Sequence, residues 1–325
     1  MEGFVLDVAA CPEDEGALER HDDDVRCTTC GRVFGVEGGV LTLLPDRLAH
    51  VRQPTPAPEA RSGEDDVRWI EDELEWWNPW HDAETLQPFR PRSGLRGRSR
   101  EKHLLGRVRG RVGDHPIVIE MGAGVSRTVA GLWPEGPRYV ATDISLPALQ
   151  AGRRILGPQT ASVQCDAVTW PFRESSADVV LILGVLHHLS DWRAALERAC
   201  RTVRPGGFLL LHEAVTKPRV LARWRAGGMD DGWVSPHEGD VPATALRAEL
   251  ERSGEILHWH GEESPLRFGM VRYLVTRPGR HELLEGSPAL TIAFNALDQA
   301  FGRGPGRLFP SLGFNEVTTV WQRRT

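Results

Sequence analysis

A glycine-containing turn is the first feature of the sequence that could do chemistry. The apolar run at 117–119 leads into Glu120-Met121-Gly122-Ala123-Gly124, which predicts a buried strand that turns sharply into a helix. Such a turn at the end of a parallel strand lets a nucleotide-type ligand approach the backbone. Arg127 stands where dinucleotide sites carry their third glycine, which argues against NAD and FAD, and no Gly-Lys-Ser/Thr is present to make a phosphate-binding loop.

Two carboxylates follow the turn at the ends of the next predicted strands. Asp143 lies 21 residues after Gly122, where a carboxylate can accept hydrogen bonds from both ribose hydroxyls. Asp166 ends the third strand and could accept a hydrogen bond from an adenine amine. A glycine turn with two strand-end acids fits a nucleoside without phosphates, and S-adenosylmethionine is such a ligand.

Histidines end the fourth and fifth predicted strands. His187 and His188 follow the apolar strand at 178–183, where a transferred methyl group would meet its acceptor. A histidine with a pKa near 6.5 can remove a proton at neutral pH, so either is a candidate base; the alternative is packing or helix capping. We expect one of the two to reach the pocket. In-line positioning and exclusion of water can also suffice without a base.

His212-Glu213 at the end of the fifth strand and His237-Glu238 before a later helix are two further His-Glu pairs. If these pairs converge, they could hold a metal or polarise an acceptor hydroxyl, which makes His212 a third catalytic candidate. Spacing alone does not distinguish these roles, and the simpler interpretation is that both pairs are polar lining of the pocket.

The N-terminal region carries a cluster of metal-ligand residue types. Cys27 and Cys30 form an intact C-x-x-C knuckle, whereas the preceding one has Cys11 and Asp14. Three thiolates and a carboxylate can bind Zn²⁺ tetrahedrally. Loss of the metal is equally compatible with the sequence, with a small apolar core in its place: Phe4, Leu6, Val33, Phe34 and Leu41.

Strand-like and helical segments alternate after residue 116, which predicts a doubly wound parallel α/β sheet with right-handed crossovers. The helix at 191–203 has a regularly spaced apolar face, and a second helix covers 241–254. The predicted strands are 117–121, 138–142, 161–165, 178–183, 207–213, 255–261 and 314–322.

Five motifs in order, from EMGAGVSR through YVATDIS, QCDAVTWPF and LGVLHHL to VRPGGFLLLHE, resemble the class I S-adenosylmethionine-dependent methyltransferases of the type-11, ubiquinone-biosynthesis-like group. The resemblance covers about residues 116–213 and implies a seven-stranded Rossmann-like sheet whose last strand is antiparallel. It also implies which residues bind the methionine and ribose end, the ribose hydroxyls and the adenine of the cofactor. Carried over by position, the cofactor-binding residues are Glu120, Gly122, Ala123, Gly124, Asp143, Ile144, Asp166, Ala167 and Gly184.

The resemblance divides the chain into three parts. Residues 1–45 resemble a zinc ribbon of the kind fused to, or acting as activator subunit of, some methyltransferases. Residues 46–112 contain a proline-rich linker and a helix at 66–80 that is a candidate lid over the site, with simple packing as the alternative; its tryptophans are Trp69, Trp76, Trp77 and Trp80. Residues 113–325 form the methyltransferase domain, in which 233–242 and an insertion at 264–313 border the acceptor.

Charge and composition separate the function classes. The net charge of −6 disfavours a general nucleic-acid binder, and residues 1–45 carry ten acids against three arginines. The arginine-rich segment 90–111 is the one feature of the sequence that favours nucleic-acid binding. No apolar run could span a membrane and no signal peptide is evident, so we expect a cytoplasmic protein.

The resulting prediction is methyl transfer to the O, N or C atom of a small molecule, plausible in bacterial secondary metabolism, with a homodimer as one assembly. The alternatives are an RNA methyltransferase and a non-catalytic scaffold or regulator of the same fold.

Overall fold

The computed structural model describes residues 3–52, 65–81, 104–125, 136–157, 160–215, 237, 241–262, 293, 296–297, 300 and 316–325. The predicted linker at 53–63 and Arg127 lie outside these residues. So do most of the arginine-rich segment, nearly all of 233–242 and all but four positions of the insertion at 264–313. Within the described part of the chain, no helix is long and apolar enough to cross a membrane.

The predicted seven-stranded doubly wound sheet is confirmed. Its strands, numbered after five short strands of the N-terminal region, are β6 (Ile117–Met121), β7 (Arg138–Asp143), β8 (Ala161–Gln164), β9 (Ala177–Leu183), β10 (Val203–Ala214), β11 (Gly254–Glu262) and β12 (Glu316–Arg323). Their spatial order is β11-β12-β10-β9-β6-β7-β8, in which β6 to β10 are parallel and β12 runs antiparallel between β10 and β11. Six of the seven match the predicted limits within two residues; β10 starts four residues early, at a register shift between Val203 and Phe208.

Helices cover the sheet where the apolar periodicity places them. They are α3 (Leu146–Leu156), α4 (Trp192–Thr202) and α5 (Ala243–Ser253). In α4 the predicted inner face is buried, and the Asp191 side chain caps the helix by accepting a hydrogen bond from the Ala194 N–H at 3.0 Å. β9 is buried on both faces, as expected for a central parallel strand between two helical layers.

The N-terminal region has a small antiparallel sheet of its own and also contributes to the main sheet and core. It contains α1 (Val5–Val8), an antiparallel sheet of β1 (Leu18–His21), β2 (Asp24–Cys27) and β3 (Val33–Phe34), and a hairpin of β4 (Val36–Glu37) and β5 (Val40–Thr42). β5 pairs in parallel with β8, so the sheet has nine strands. The physical reason is that β8 would otherwise be an unpaired edge, and the fully buried β5 covers it.

The helix expected at 66–80 is α2 (Asp65–His81). Its buried Val67 and Leu74 pack against Leu44, Leu48 and Val51, which belong to the end of β5 and the 3₁₀ helix Asp46–Arg52 that follows. α2 therefore lies between the N-terminal region and the carboxyl ends of the parallel strands, where the predicted site residues are.

Candidate functional site

A cavity of about 270 Å³ opens at the carboxyl ends of β6, β7, β8 and β9, with α2 across it. This is where doubly wound sheets bind their ligands. The lining residues come from the strand ends and from α2: Trp69, Ile70, Glu73, Trp77, Gly122, Gly124, Thr142, Asp143, Ile144, Ser145, Cys165, Asp166, Ala167, Gly184, Val185, His188 and Leu189. Seven of the nine predicted cofactor residues are among them.

The glycine turn is required by backbone geometry and by space. Gly122, Gly124 and Gly184 adopt positive φ angles of 64°, 51° and 72°, which favour glycine. A Cβ atom at Gly122 would lie 2.5 Å from Cγ2 of Val185, on the opposite wall of the cavity. Glycine is therefore required at position 122, where the loop after β6 approaches the loop after β9 too closely for a side chain.

Asp143 is held by backbone donors on both carboxylate oxygens. The Gly124 N–H donates to Oδ2 at 2.8 Å, and the Ser145 N–H donates to Oδ1 at 2.8 Å. Each oxygen keeps a further lone pair, so the half-buried carboxylate can accept two more hydrogen bonds. This arrangement suits the two adjacent hydroxyl groups of a ribose.

Asp166 is more deeply buried and is held by three donors. The Val168 N–H donates to Oδ1 at 3.0 Å, the Thr169 N–H donates to Oδ2 at 3.3 Å, and the Arg47 guanidinium donates to Oδ2 at 2.8 Å. Arg47 comes from the N-terminal region, 119 residues away in the chain.

Glu120 and Ala123 are not among the described residues that line the cavity. The buried Glu120 carboxylate accepts a hydrogen bond from the Tyr139 hydroxyl. The Ala123 N–H donates to the Thr142 carbonyl at 2.7 Å, and its side chain packs against the cluster of Val40, Ala141, Leu146 and Leu149. Their part in binding a cofactor stays a prediction.

His188 and His187 lie in the 3₁₀ helix Leu186–His188 and face different partners. His188 lines the cavity, with Nδ1 3.2 Å from the Glu73 carboxylate and its ring edge-on to Trp77 at 5.6 Å. The Trp77 Nε1–H donates to the same Glu73 oxygen at 3.0 Å. His188 and α2 thus form one side of the cavity together.

His187 is directed away from the cavity lining and contacts the fully buried carboxylate of Glu213. The second Glu213 oxygen accepts the N–H groups of Val185 and Leu186 at 3.1 and 2.7 Å. The His187–Glu213 pair therefore fixes the turn after β9. His187, a candidate base in the sequence, is thus not among the described residues that line the cavity.

His212, the third catalytic candidate in the sequence, is also not among the described residues that line the cavity. Its Nδ1 is 3.2 Å from the Thr318 hydroxyl, and its Nε2 is 3.8 Å from the Glu316 carboxylate. His237 instead contacts Asp72 at 2.7 Å and stacks on Trp69 at 4.5 Å, and Glu238 lies outside the described residues. The described members of the two His-Glu pairs have different partners and do not form a metal-binding group.

Three contacts attach α2 to the rim of the cavity. The Trp69 Nε1–H donates to the His188 carbonyl at 2.7 Å, and the Ser145 hydroxyl donates to the Asn78 side-chain oxygen at 2.7 Å. His50 contacts Glu71 at 2.9 Å on the opposite side. Of the predicted lid tryptophans, Trp69 and Trp77 line the cavity, Trp76 does not, and the Trp80 side chain lies outside the described residues.

The predicted metal ligands come together at the N-terminus. The ligand atoms of Cys11, Asp14, Cys27 and Cys30 lie within 4.8 Å of one another, the only such group among the described residues. Burial raises the pKa of Cys11 to about 12, and the backbone N–H of Gly16 followed by the Cys11 thiol lowers the pKa of Asp14 to about 2. Burial alone would raise the pKa of Cys27, but the N–H groups of Cys30 and Thr29 outweigh it and lower the pKa.

Ser145, Glu73 and Arg47 are among the site residues that sequence reasoning missed. Ser145 caps α3 beside Asp143, and the Asp-x-Ser spacing before a helix was the signal that could have identified it. Glu73 had no signal of its own, because it is one of several acids in α2. Arg47 had no local signal, because its partner is brought to it only by the β5–β8 pairing.

The chain is similar to known methyltransferases over the strand-and-helix region that builds this cavity. The family described as "Methyltransferase domain" matches residues 119–211. The demethylmenaquinone methyltransferases of Clavibacter sepedonicus and Mycobacterium sp. (strain KMS) are 32% and 35% identical over 108 and 105 residues, which is 33% and 32% of this chain. The chain spans 44% of the length of each of these relatives.

A solved structure agrees on the fold. A chain from the complex that contains the Haloferax volcanii Trm112 methyltransferase activator aligns with a TM-score of 0.50 and 16% identity, covering 75% of this chain and 98% of that chain.

Proposed function

We propose that the chain transfers a methyl group from S-adenosylmethionine to an oxygen, nitrogen or carbon atom of a small molecule, a proposal supported by the match of residues 119–211 to the family described as "Methyltransferase domain". The observation that carries this proposal is the cavity, in which a bare glycine turn and two strand-end carboxylates stand beside an aromatic wall. The turn leaves room for the amino-acid tail of the cofactor. Asp143 binds the ribose hydroxyls, and Asp166 with Ala167 borders the adenine.

Bound S-adenosylmethionine supplies a methyl group that its sulfonium makes electrophilic. The chain then has to align an acceptor with that methyl group and exclude water, and alignment alone can contribute about 7–11 kcal/mol in favourable cases. Trp69 and Trp77 of α2, with Leu189, form an apolar wall suited to both tasks. Where the acceptor must lose a proton, His188 is the base, and Glu73 orients its ring and stabilises the imidazolium that forms.

The lining favours a small acceptor over RNA. None of the lining residues in the described part of the chain is an arginine or lysine. A site that follows a phosphate backbone needs such cations, because affinity for nucleic acid comes largely from counterion release. A flat apolar acceptor matches the aromatic wall better. Secondary metabolism as the setting and a homodimer as the assembly stay predictions, and light scattering in solution tests the latter.

Calorimetric titration with S-adenosylhomocysteine tests the proposal. We expect binding by the wild-type chain and about a 30–100-fold weaker affinity for Asp143→Asn, since its side chain keeps only one acceptor oxygen for two hydroxyls. Asp114→Asn is the matched control, because Asp114 is exposed and distant from the cavity lining. Wild-type protein that binds no adenosyl ligand, or that binds NAD⁺ in its place, would disprove the proposal. An acceptor screen with radiolabelled cofactor then identifies the substrate.

We also propose that the N-terminal cluster holds Zn²⁺ as a structural ion. Tetrahedral Zn²⁺ with Zn–S bonds of about 2.3 Å separates two sulfurs by about 3.8 Å and a sulfur from a carboxylate oxygen by about 3.5 Å. The Cys11 and Cys30 sulfurs are 3.8 Å apart, and the Cys27 sulfur is 3.4 Å from Asp14 Oδ1. Both of these ligand–ligand distances therefore fit tetrahedral coordination of Zn²⁺.

Metal analysis of the purified chain tests the zinc site. One equivalent of zinc is expected in the wild type and less than a tenth of that in Cys27→Ser. Cys200→Ser is the control, because Cys200 is buried in the methyltransferase core and belongs to no ligand group among the described residues. A wild-type chain expressed with added zinc that carries none would show that the apolar core alone supports this region.

A further inference from the structure

The contact between Arg47 and Asp166 joins the N-terminal region to the cofactor end of the cavity. The side chain of Asp166 is 4% exposed and that of Arg47 is 31% exposed, so the pair lies at the boundary between the cavity wall and solvent. The guanidinium donates to Oδ2 at 2.8 Å, a distance typical of a charge-assisted hydrogen bond. No motif of the methyltransferase domain contains Arg47.

The donors on Asp166 are divided unequally between its two oxygens. Oδ2 accepts from both Arg47 and the Thr169 N–H, whereas Oδ1 accepts from the Val168 N–H alone. A carboxylate oxygen accepts about two hydrogen bonds, so Oδ2 is saturated and Oδ1 keeps an acceptor position. Asp166 borders the cavity, and that remaining position is available to an amino group of a bound ligand.

Arg47 is itself fixed from both sides along the chain. The preceding Asp46 donates its backbone N–H to the Glu13 carboxylate at 2.7 Å, and its side chain pairs with Arg32. Arg32 also pairs with Glu13 at 2.7 Å. The following Leu48 is fully buried. With both neighbours immobilised, the guanidinium is presented to Asp166 at little entropic cost.

We propose that Arg47 is a positioning residue for recognition of the 6-amino group of the adenine, so that the N-terminal region completes the cofactor site. Arg47 fixes the plane of the Asp166 carboxylate and keeps Oδ2 occupied, which directs Oδ1 to the amine. This inference rests on the proposed function, because it assumes an adenosyl ligand in the cavity. It goes beyond that function by assigning adenine selectivity to a residue outside the methyltransferase domain.

The test compares two ligands that differ at the 6-amino group and, as a consequence, in the hydrogen on the neighbouring N1. Binding of S-adenosylhomocysteine and of S-inosylhomocysteine, in which a carbonyl replaces the 6-amino group, is measured by calorimetry for the full chain. The wild type is expected to prefer the adenosyl ligand at least about tenfold. Arg47→Gln should reduce that preference at least about fivefold, mainly by weakening the adenosyl ligand. Arg47→Lys should restore part of it, because the ammonium keeps the charge without the planar fork.

Control variants separate positioning from general structural damage. Arg154→Gln removes an equivalent cation from the exposed end of α3 and should leave both affinities unchanged. Asp166→Asn should reduce the preference by itself, and adding Arg47→Gln to it should have little further effect, because the two residues act as a unit.

Each outcome has a distinct meaning. Wild-type chain that binds neither ligand disproves the proposed function. Wild-type chain that binds both equally, or an Arg47→Gln variant that keeps the wild-type preference, overturns the role of Arg47 and leaves the proposed function intact. Equal weakening of both ligands with a lower melting temperature would show that Arg47 is merely structural, and would also overturn the inference.

Discussion

In the proposed function the cavity has a cofactor half (the glycine turn at 122–124, Asp143 and Asp166) and an acceptor half, and the two are built in different ways; the acceptor half comprises Trp69, Glu73, Trp77, His188 and Leu189. The cofactor half is made of backbone and of acids held by backbone N–H groups, as at Asp143. The acceptor half is made of side chains that hold one another across long stretches of sequence, as in the contact of His188 with Glu73. Short strand-end loops therefore specify most of the first half, with the contact of Arg47 with Asp166 as the exception, and the docking of α2 specifies the second. We expect the cofactor half to tolerate change poorly and the acceptor half to vary with the substrate.

The largest effect is expected from Gly122→Ala in the cofactor half. The new Cβ would strain a residue at φ +64° and would approach Val185 to 2.5 Å, so the turn must move. We expect affinity for S-adenosylhomocysteine to fall by more than about 100-fold in calorimetry, which corresponds to about 3 kcal/mol.

Two further variants show whether space or strain dominates at that turn. Val185→Ala in the Gly122→Ala background should recover part of the affinity by removing the collision. Gly106→Ala, where no heavy atom lies within 4 Å of the added Cβ, should bind like the wild type. A Gly122→Ala chain with unchanged affinity would mean that the cofactor half is not rigid.

The acceptor half is tested by Glu73→Gln. The amide cannot stabilise a charged imidazole at His188, so turnover of an acceptor that must lose a proton should fall about 10–100-fold. Affinity for S-adenosylhomocysteine should change less than about twofold, because Asp143 and Asp166 are untouched. The rate at saturating cofactor, followed against pH, is the measurement.

His188→Gln should lower that turnover by a similar factor, whereas His115→Gln at an exposed position should not. If Glu73→Gln weakened cofactor binding and left turnover unchanged, the assignment of the two halves would have to be exchanged.

Alanine substitution of the two adjacent histidines, His187 and His188, should have different effects on stability. His187→Ala removes a partner from the fully buried Glu213 carboxylate, which keeps its backbone N–H donors. We expect the free energy of unfolding to fall by about 2 kcal/mol in denaturant titration. His188→Ala, at the cavity surface, should cost less than about 1 kcal/mol. Equal losses for the two variants would contradict the distinction between a structural and an acceptor-facing histidine.

The contrast between locally built and long-range contacts also explains how much of the fold and site the sequence could predict. The positions of the glycine turn, Asp143 and Asp166 at the cavity could be predicted because each follows a predicted strand at a short and fixed distance. The limits of most strands and helices could be predicted from the periodicity of their apolar residues. The hydrogen bond between the Tyr139 hydroxyl and Glu120 could not be predicted in the same way, because it depends on the pairing of β6 with β7.

The contacts that could not be predicted are those that span the chain. β5 joins the sheet because the edge of β8 needs a partner, and no local pattern in 40–42 indicates that pairing. Arg47 and Glu73 become site residues only after this pairing and the docking of α2 have occurred. Tertiary packing, rather than local preference, therefore brought these two residues to the site.

The smallest predicted effect links the metal cluster to the cofactor half. Glu13 lies between Cys11 and Asp14 and accepts the N–H of Asp46, next to Arg47. Removing zinc should loosen this turn and weaken S-adenosylhomocysteine binding about fivefold, which is at the low end of coupling between two sites. In Arg47→Gln, chelation should cause no further loss, because the connecting residue is already absent.

Gly16→Ala tests this coupling without a chelator. An added Cβ would lie 2.7 Å from the Cys27 sulfur and 2.9 Å from Asp14 Oδ1, so the ligand set cannot close around an ion. The variant should contain little zinc and should bind S-adenosylhomocysteine about fivefold more weakly than the wild type, as the chelated protein does. A zinc-free Gly16→Ala chain with wild-type affinity would show that Glu13 and Arg32 hold Arg47 in place independently of the metal, and that only the cofactor half determines cofactor affinity.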